Sequence, residues 1–375
     1  MRVDKSKWEK VVFAQVGESE LGKPLNSKTD TGDLCPYLCA VNVIQGSFDL
    51  STIKECKIEE KDKRRYLLKK GDLLICEGGD AGRCAIWEDG REMFYQNALH
   101  RVRAKDNAYN YFLMFYLHYL KKNGTIDKLS KGVTIKHFSK TALSSLIVPL
   151  PPLPEQRAIA EELDGIQSMI GKCREQLEDY DRLARSIFHE MFGDPVRNDK
   201  GWEVKKLKGL FINRDSERVP LPSSYRKDHK GIYDYYGACG VIDSIDDFIF
   251  DEKLLLIGED GANLVTCSKP NAIIASGKYW VNNHAHVLQC TNCIDIVYAC
   301  YAFNYIDISS YITGVAQPKL NQSNLNKIAI PLPPLPLQQK FAERIEAIEK
   351  MKEATKAQLA DLQQLFDSRM QYYFS

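Results

Sequence analysis

The sequence predicts an α+β protein in which two similar mixed α/β globular domains are separated by a long antiparallel two-helix coiled coil, with internal pseudo-two-fold symmetry. Three observations support this fold class. The second half of the chain repeats the first, and each half ends in a long stretch with helical apolar spacing. Each half also carries short strand-like runs between turns rich in Gly, Asn and Asp.

Length and composition fit a soluble protein with two domains. A chain of 375 residues suggests two domains of about 150 residues each. No run approaches the roughly 20 apolar residues that span a membrane, and the charged start "MRVDKSKWEK" lacks the apolar core of a signal peptide. We therefore expect no membrane partner, a cytoplasmic location and reduced thiols at the 11 cysteines. Because the net charge is only +1, any face that binds nucleic acid must be local.

The repeat has a constant shift over its helical part. Pro149 aligns with Pro331, 182 residues later, and the same shift matches Phe192 with Phe374 without a gap. Carried backward, the shift pairs "LLICEGGDAG" with "LLIGEDGANL", and "QNALHRV" aligns with "NNHAHVL" after an insertion of four residues in the second half. The segments "KWEKV" and "GWEVK" each place a Trp before a strand-like run. The predicted order is therefore globule, helix, globule, helix.

Two proline ladders, "PLPPLP", separate each globule from its helix. We predict a first domain over residues 1–150, a strap and central spacer helix over 151–194, a second domain over 195–330, and a strap and C-terminal spacer helix over 331–375. Proline lacks a backbone donor and disfavours helix in the residue before it, so each ladder is predicted to be an extended strap. Helix is expected to begin at Glu155 or Leu337. The alternative is a proline-rich ligand for another protein.

After each ladder the apolar residues keep a 3,4 spacing over about five heptads, which is typical of a coiled-coil seam. The predicted seam comprises Ile159, Leu163, Ile166, Ile170, Leu177, Tyr180, Phe341, Ile345, Ile348, Leu359, Leu362 and Phe366. Lys352, Thr355 and Arg369 interrupt it and are interpreted as packing irregularities or partner contacts. The alternative is two amphipathic helices packed on their own globules, which the length of the pattern disfavours.

The link "GDPVRNDKG" is short, so the second helix is expected to run back along the first, with one domain at each end. About 36 helical residues would span roughly 54 Å, or about 16 base pairs of DNA. This geometry suits a two-part DNA site, and it would also suit bridging two proteins.

Within the globules, "DLLICEG", "KLLLIGEDG" and "HAHVLQC" are predicted strands, and "YNYFLMFYLHYLKK" and "IDIVYACYAFNYI" are predicted helices whose aromatic residues form core. The turns "EGGDAGR" and "GEDGANL" lack the Gly-Lys-Ser/Thr of a phosphate-binding loop. They are interpreted either as hairpin turns or as turns that bring the backbone near DNA, with Asp80, Arg83 and Asn263 exposed.

Further candidate DNA contacts lie beside a repeated strand and in the turns "SKGVTIKHF" and "ITGVAQPKL". These candidates are Asn97, His100, Asn283, His284, Lys131, Lys136, His137, Gln317 and Lys319. Basic groups bind phosphates and amides read base edges, although such groups are also common on ordinary solvated surface. A metal site at "HAHVLQCTNC" is not predicted, because strand alternation places His286 and Cys290 on the core face and the first half has no matching cysteine.

The repeated "PLPPLPEQ" before a long helix, "GVAQPKL" before the second ladder, and "YYGACGVIDSIDDFIFDEKLLLIGEDGANL" resemble the specificity (S) subunits of type I restriction-modification systems. The resemblance covers essentially the whole chain. It implies that each globule is a target-recognition domain for one half of an asymmetric bipartite site on double-stranded DNA, and that the helices set the spacer. The implied partners are two modification (M) subunits that carry S-adenosylmethionine, and restriction (R) subunits. Candidate residues for facing the M subunits are Leu183, Ile187, Phe188, Leu365 and Met370.

The resemblance implies a chain without catalysis or a cofactor of its own. In agreement, the sequence has no Asn/Asp-Pro-Pro-Tyr/Phe tetrapeptide of adenine methyltransferases and no Phe-x-Gly-x-Gly loop for S-adenosylmethionine. Three alternative functions are a protein-bridging scaffold, an S-like subunit of a related type II system, and a methyltransferase that is active alone.

Overall fold

The computed structural model describes residues 2–26, 30–132 and 136–375, which form two compact units. Unit 1 comprises Met1–Arg174 and Gln358–Ser375, and unit 2 comprises Glu175–Ala357. Each unit contains one globule and part of both long helices. The units therefore group the residues differently from the four predicted segments, because each long helix is divided between the two units.

The described residues of unit 1 form four small sheets. Its strands are β1 (Glu9–Val12), β2 (Gly17–Leu21), β3 (Asp33–Leu38), β4 (Val43–Ile44), β5 (Ser47–Phe48), β6 (Lys54–Ile58), β7 (Asp72–Cys76), β8 (Cys84–Trp87), β9 (Phe94–Tyr95), β10 (Leu99–Ala104) and β11 (Ile147–Leu150). Its helices are α1 (Phe13–Val16), α2 (Glu60–Tyr66), α3 (Asn110–Lys122), α4 (Thr125–Leu129), α5 (Lys140–Ser145) and the first part of α6 (Leu153–Phe192). The sheets have the orders β1-β11, β2-β10-β7-β8, β6-β3-β9 and β4-β5.

Unit 2 repeats the two-stranded sheet and the main four-stranded sheet of unit 1. Its strands are β12 (Glu203–Lys206), β13 (Phe211–Asn213), β14 (Tyr233–Gly237), β15 (Gly240–Ile245), β16 (Phe250–Asp251), β17 (Leu254–Gly258), β18 (Ala272–Ala275), β19 (Lys278–Val281), β20 (Ala285–Cys290) and β21 (Ala329–Leu332). Its helices are α7 (Ser223–Asp228), α8 (Asn263–Thr266), α9 (Ile296–Tyr305), α10 (Gln322–Leu325) and most of α11 (Leu335–Phe374). The sheets have the orders β12-β21, β13-β20-β17-β18 and β15-β14-β19-β16.

The matching strand orders confirm the internal repeat at the level of structure. In both units a four-stranded antiparallel sheet packs against one aromatic helix, α3 or α9, and both helices lie in segments that were predicted to be helical. Phe112 and Phe115 of α3 and Tyr298 of α9 are fully buried. These aromatic residues therefore belong to the hydrophobic core of each unit, where removal of their apolar area from water stabilises the fold.

Each proline ladder runs from strand into helix: its first two residues end a strand, the next two are irregular, and the last two begin the helix. Pro149 pairs with Lys10 in the β1-β11 sheet, and Pro331 pairs with Val204 in the β12-β21 sheet. Helix begins at Leu153 and Leu335, two residues earlier than predicted. The prediction was wrong by this amount because the last proline of each ladder, Pro154 or Pro336, lies in the first helical turn, where the missing N–H has no helical partner to lose.

A buried glutamine fixes each ladder to its globule. The Gln156 amide donates to the Pro151 carbonyl at 2.8 Å, and its oxygen accepts from the Tyr109 backbone N–H at 2.9 Å. Gln338 does the same with Pro333 at 2.7 Å and Asp295 at 2.8 Å. Both glutamines are 0% exposed, so the joint between globule and helix is a hydrogen-bonded one.

The long helices pack on each other within each unit. In unit 2, Asp181 pairs with Lys352 while the Phe188 and Phe341 rings pack edge to face, so α6 and α11 run antiparallel there. All twelve predicted seam residues are buried or half-buried. No helix in the described part of the chain is long and apolar enough to cross a membrane.

Two of the three residues that interrupt the seam form ion pairs within the chain, and the third, Thr355, is buried. Lys352 lies 2.8 Å from Asp181 and 3.0 Å from Glu349. In unit 1, Arg369 pairs with Glu162. At Lys352 an ion pair thus replaces an apolar seam contact in unit 2. At Arg369 an ion pair replaces an apolar seam contact in unit 1.

Candidate nucleic-acid interface

Two loops meet at one end of the main sheet of unit 2. The hairpin loop between β17 and β18 reaches the segment before α10, where Gly261 donates to the Pro318 carbonyl at 3.0 Å and Leu320 donates to the Glu259 carbonyl at 2.8 Å. Thr313 and Lys319 exchange both backbone hydrogen bonds, at 2.9 and 2.7 Å. The second loop is thereby closed into a tight turn whose tip carries Gln317.

The turn before β20 lies beside the same two loops. Glu259 donates its backbone N–H to the His284 carbonyl at 2.8 Å, and the His284 Nδ1 lies 2.8 Å from an Asp260 oxygen. Since a carboxylate only accepts, Nδ1 carries the hydrogen and Nε2 is left for a ligand. Asn283 beside it is exposed.

We call this region the unit 2 loop surface and define it as Asn283, His284, Val315, Gln317 and Lys319. Val315 is fully exposed, and the side chains of Lys319 and His284 are 51% and 48% exposed. The surface offers a cation, two amides, an imidazole nitrogen and an apolar tip. This is the side-chain chemistry that contacts phosphates, base edges and the thymine methyl group.

Unit 1 builds an equivalent surface with the same backbone hydrogen bonds. Phe138 donates to the Glu77 carbonyl at 2.7 Å, and Glu77 donates to the Ala98 carbonyl at 2.9 Å. Lys131 and His137 exchange backbone hydrogen bonds at 3.0 and 2.8 Å, as Thr313 and Lys319 do in unit 2. Residues 133–135 of this predicted turn lie outside the described residues.

We define the unit 1 loop surface as Asn97, Lys131, Lys136 and His137. The last three residues are exposed, and Asn97 is half-buried in the turn before β10. Gly78 approaches this surface closely, since a Cβ on it would lie 3.3 Å from the His137 ring. The structure thus brings the predicted contacts of each half together, although they are far apart in sequence.

His100 is not an available contact, so that prediction was wrong. It is 0% exposed, and its Nε2 lies 3.0 Å from the Phe138 carbonyl. Burial lowers its pKa because the charged ring would lose its hydration. His100 is buried because β10 lies between β2 and β7 with both of its faces covered, so that its first four residues are all buried.

The predicted exposure of Arg83 and Asn263 was also wrong, whereas Asp80 is exposed. Arg83 donates to the Ala40 carbonyl at 3.0 Å and its side chain is only 27% exposed. Asp80 is engaged as well, since it forms an ion pair with Lys121. The Asn263 side chain accepts from the Lys269 N–H at 2.9 Å and donates to Asn271 at 2.8 Å, which fixes the hairpin loop.

Acidic groups beneath the unit 2 loop surface escaped the sequence analysis. Glu259 accepts from Arg218 at 2.7 Å and lies 3.2 Å from Lys319. Burial alone would raise the pKa of Glu259, but the Arg218 hydrogen bond and the neighbouring charges hold it below its ordinary value. Lys319 is therefore oriented by an ionised carboxylate. No short-range pattern marks this cluster, because Arg218 and Glu259 are 41 residues apart in the chain.

The long helices leave four apolar side chains in water, at repeated positions. Met169 and Leu183 are each 44% exposed, and the residues 182 positions later, Met351 and Leu365, are 42% and 45% exposed. Of the other residues considered for partner contact, Phe188 and Met370 are buried in the core, so that expectation was wrong for them, and Ile187 is half-buried. The four exposed apolar residues therefore occupy equivalent positions in the two halves of the chain.

Known proteins share both the sequence pattern and the fold. A putative type I restriction enzyme specificity subunit, MjaX, of Methanocaldococcus jannaschii is 26% identical over 320 residues, which are 78% of this chain and 75% of that protein. The MjaIX specificity subunit of the same organism is 22% identical over 383 residues, covering 91% and 86% of the two chains. The crystal structure of a type I restriction-modification S subunit from M. genitalium has a TM-score of 0.66 at 16% identity, over 100% of this chain and 98% of that one.

The family itself is matched once in each half of the chain. Residues 5–178 and 199–364 fit the model of the type I restriction modification DNA specificity domain. These two ranges take in nearly all of both globules and most of the long helices. The chain therefore belongs to the family of type I restriction-modification DNA specificity domains.

Proposed function

We propose that the chain is the DNA-recognition subunit of a type I restriction-modification complex, with each unit reading one half of a bipartite site on double-stranded DNA. The observation that carries this proposal is the pair of loop surfaces, which both units build from the same backbone hydrogen bonds. Family membership supports it. The chain is proposed to be non-catalytic, to bind no cofactor and to act in the cytoplasm.

The two loop surfaces carry different side chains, so the half-sites are proposed to differ. The unit 1 loop surface presents the cations Lys131 and Lys136, which suit phosphates. The unit 2 loop surface adds the amides of Asn283 and Gln317, and an amide pairs bidentately with adenine in the major groove. One half-site should therefore depend more on base-edge hydrogen bonds than the other.

The helices are proposed to fix the spacer and to dock two M subunits that bind S-adenosylmethionine and methylate adenine. Each helix has 40 residues, which is about 60 Å at 1.5 Å per residue. Met169 and Leu183 on α6 correspond in the repeat to Met351 and Leu365 on α11, and all four side chains are exposed. Each exposed position therefore occurs twice, which suits two copies of one partner. R subunits are proposed as further members of the complex.

Methylation mapping tests the recognition role. The chain is co-expressed with the M-type subunit encoded beside it, in a host without other adenine methylation, and modified adenines are mapped across the genome. The expected result is one split motif with a fixed gap. A continuous motif would contradict the bipartite proposal, and no motif at all would favour a protein-bridging scaffold.

The spacer role is tested by removing one heptad from each helix at equivalent positions, residues 171–177 and 353–359. The seam stays in register, and each helix shortens by about 10 Å, or roughly three base pairs. The gap in the motif should shift by about this amount, or methylation should be lost. An unchanged gap would show that the helices do not set it.

A further inference from the structure

A third chain segment reaches the loop surface of unit 1. It is the connection between β3 and β6, residues 39–53. At the end of β3, the Leu38 carbonyl accepts from the Gln96 N–H at 3.0 Å. Gln96 is followed by Asn97, which belongs to the unit 1 loop surface. The connection therefore starts beside that surface.

The first turn of this connection is anchored to the hairpin loop between β7 and β8. The Ala40 carbonyl accepts from the Arg83 guanidinium at 3.0 Å and from the Cys76 thiol at 3.7 Å. Gly78 of the same hairpin loop is the residue that approaches the His137 ring. The connection and the turn that ends at His137 therefore pack against one hairpin loop, which holds both in place.

Unit 2 places its connection between β14 and β15 in the same surroundings. This connection has only two residues, Ala238 and Cys239. At the end of β14, the Tyr236 carbonyl accepts from the Asn282 N–H at 3.1 Å. Asn282 is followed by Asn283 of the unit 2 loop surface. Both units thus use one equivalent hydrogen bond to place the connection beside the loop surface.

The anchored carbonyls also occupy equivalent places. Cys76 and Gly258 align in the repeat, since they are 182 residues apart. A Cβ on Gly258 would lie 2.8 Å from the Ala238 carbonyl oxygen, whereas the Cys76 thiol donates to the Ala40 carbonyl. The residues that follow Ala40 and Ala238 therefore correspond to each other in space, although the two connections differ in length.

The residue after the anchored carbonyl is accessible in both units. Val41 is 67% exposed, and Cys239 is half-buried. The backbone around Val41 is fixed by Asn42, which is only 1% exposed. The Asn42 amide oxygen accepts from the Cys39 N–H at 2.9 Å, and its nitrogen donates to the Asp49 carbonyl at 3.0 Å. A side chain on a fixed backbone loses little conformational freedom when it binds a ligand.

We propose that the β3–β6 and β14–β15 connections are a third DNA-contacting segment of each unit, in which Val41 and Cys239 are specificity-determining residues that contact base edges. This inference rests on the proposed function of the loop surfaces, with which both connections are continuous. An apolar side chain in the major groove suits the thymine methyl group, so Val41 contacts a thymine. Because the connections differ in length and in this side chain, they make the two half-sites different.

Removal of single methyl groups from DNA tests the Val41 contact. The probes are the duplex identified by methylation mapping and versions in which each thymine of both half-sites is replaced in turn by deoxyuridine. One replacement should weaken binding to the complex of the chain with its M-type subunit about fourfold, as expected for one methyl group returned to water. Val41→Ala should bind the thymine duplex more weakly and should no longer distinguish it from that deoxyuridine duplex.

Leu34→Ala is the matched control. Leu34 is 65% exposed, but it lies near the opposite end of β3 from the connection. It should keep the wild-type response to every replacement, and thermal melting identifies any variant that has not folded. Identical responses of wild type and folded Val41→Ala would overturn the proposal. Insensitivity of the wild-type complex to every deoxyuridine replacement would overturn it without reference to any variant.

Alkylation of Cys239 tests the unit 2 segment without any substitution. Modification of the complex by iodoacetamide is followed by peptide mass spectrometry, with no DNA, with the cognate duplex and with a random duplex. The cognate duplex should slow the modification of Cys239 several-fold. Cys293 is the internal control, because it is exposed and follows the opposite end of β20 from Asn283. Equal rates at Cys239 with and without the cognate duplex would overturn the proposal for unit 2.

The proposed function and this inference can fail separately. A split methylation motif together with negative deoxyuridine and alkylation results would mean that the loop surfaces read DNA without the third segment. In that case the inference fails and the proposed function stands. If the complex prefers no duplex over random DNA, the proposed function fails, and this inference fails with it.

Discussion

At the scale of single residues, burial separates the polar side chains that can contact DNA from those that support the loops. His284 lies in the turn before β20 and is 48% exposed, whereas His286 lies within β20 and is 1% exposed. β20 is paired with β13 and β17, and its first four residues are all buried. The strand alternation that predicted a core position for His286 applies equally to His100, because the repeat aligns the two residues, and could have placed His100 in the core from sequence alone.

Lys319 and Lys131 are expected to contribute to DNA affinity through phosphates. Replacing either by Ala should weaken binding to cognate and random duplexes alike, and should lower the slope of log affinity against log salt by about 0.9. Affinity measured across a salt series checks this. Lys350→Ala is the control, because Lys350 pairs with Glu346 on α11. An unchanged slope in both loop variants would exclude phosphate contacts at these residues.

His118 is expected to make unit 1 sensitive to acid. Burial lowers its pKa from 6.5 to about 4, so the unfolded chain binds a proton between these values while the folded chain does not. Stability therefore falls as pH drops from about 6.5 to 4. His118→Gln should remove about 2 kcal/mol of that loss, after allowance for partial exposure. Melting curves across this range check it, with the exposed His137→Gln as control. An equal loss in wild type and His118→Gln would refute the assignment.

At the scale of elements, apolar periodicity and ion pairs together define the coiled-coil seam. The spacing of apolar residues was sufficient to predict both helices. Their interruptions were ambiguous, because a Lys or Arg at a seam position can pair within the chain or face a partner. The ion pairs Lys352–Asp181 and Arg369–Glu162 show that both residues pair within the chain.

A reciprocal exchange tests this account of the seam. Lys352 aligns with Ile170 in the repeat, so Lys352→Ile should leave stability unchanged or raise it by about 1 kcal/mol, since its partner Asp181 is 70% exposed. Ile170→Lys should cost about 3 kcal/mol, because Ile170 is 7% exposed and a lysine there has no matching aspartate. Urea denaturation measures both. Equal effects of the two changes would contradict the assigned seam.

At the scale of the whole molecule, duplication gives each exposed apolar residue of the long helices an equivalent in the other half, and these residues are the proposed docking positions. Leu183→Asp and Leu365→Asp should each reduce the number of bound M subunits from two to one, and the double variant should bind none. Native mass spectrometry of the co-purified complex counts the copies. Gln364→Asp, an exposed neighbour on α11, serves as the control. Two bound copies in the double variant would place the docking surface elsewhere.

The sequence by itself determined the repeat, the two long helices, the aromatic core helices and the main strands. It could do so because these depend on local periodicity and on comparison of one half of the chain with the other. Only the tertiary structure decided which polar residues reach solvent. Arg83 turns to the Ala40 carbonyl, and Asp215 meets His286 across 71 residues. Such contacts depend on which segments pack together, and no spacing in the chain encodes them.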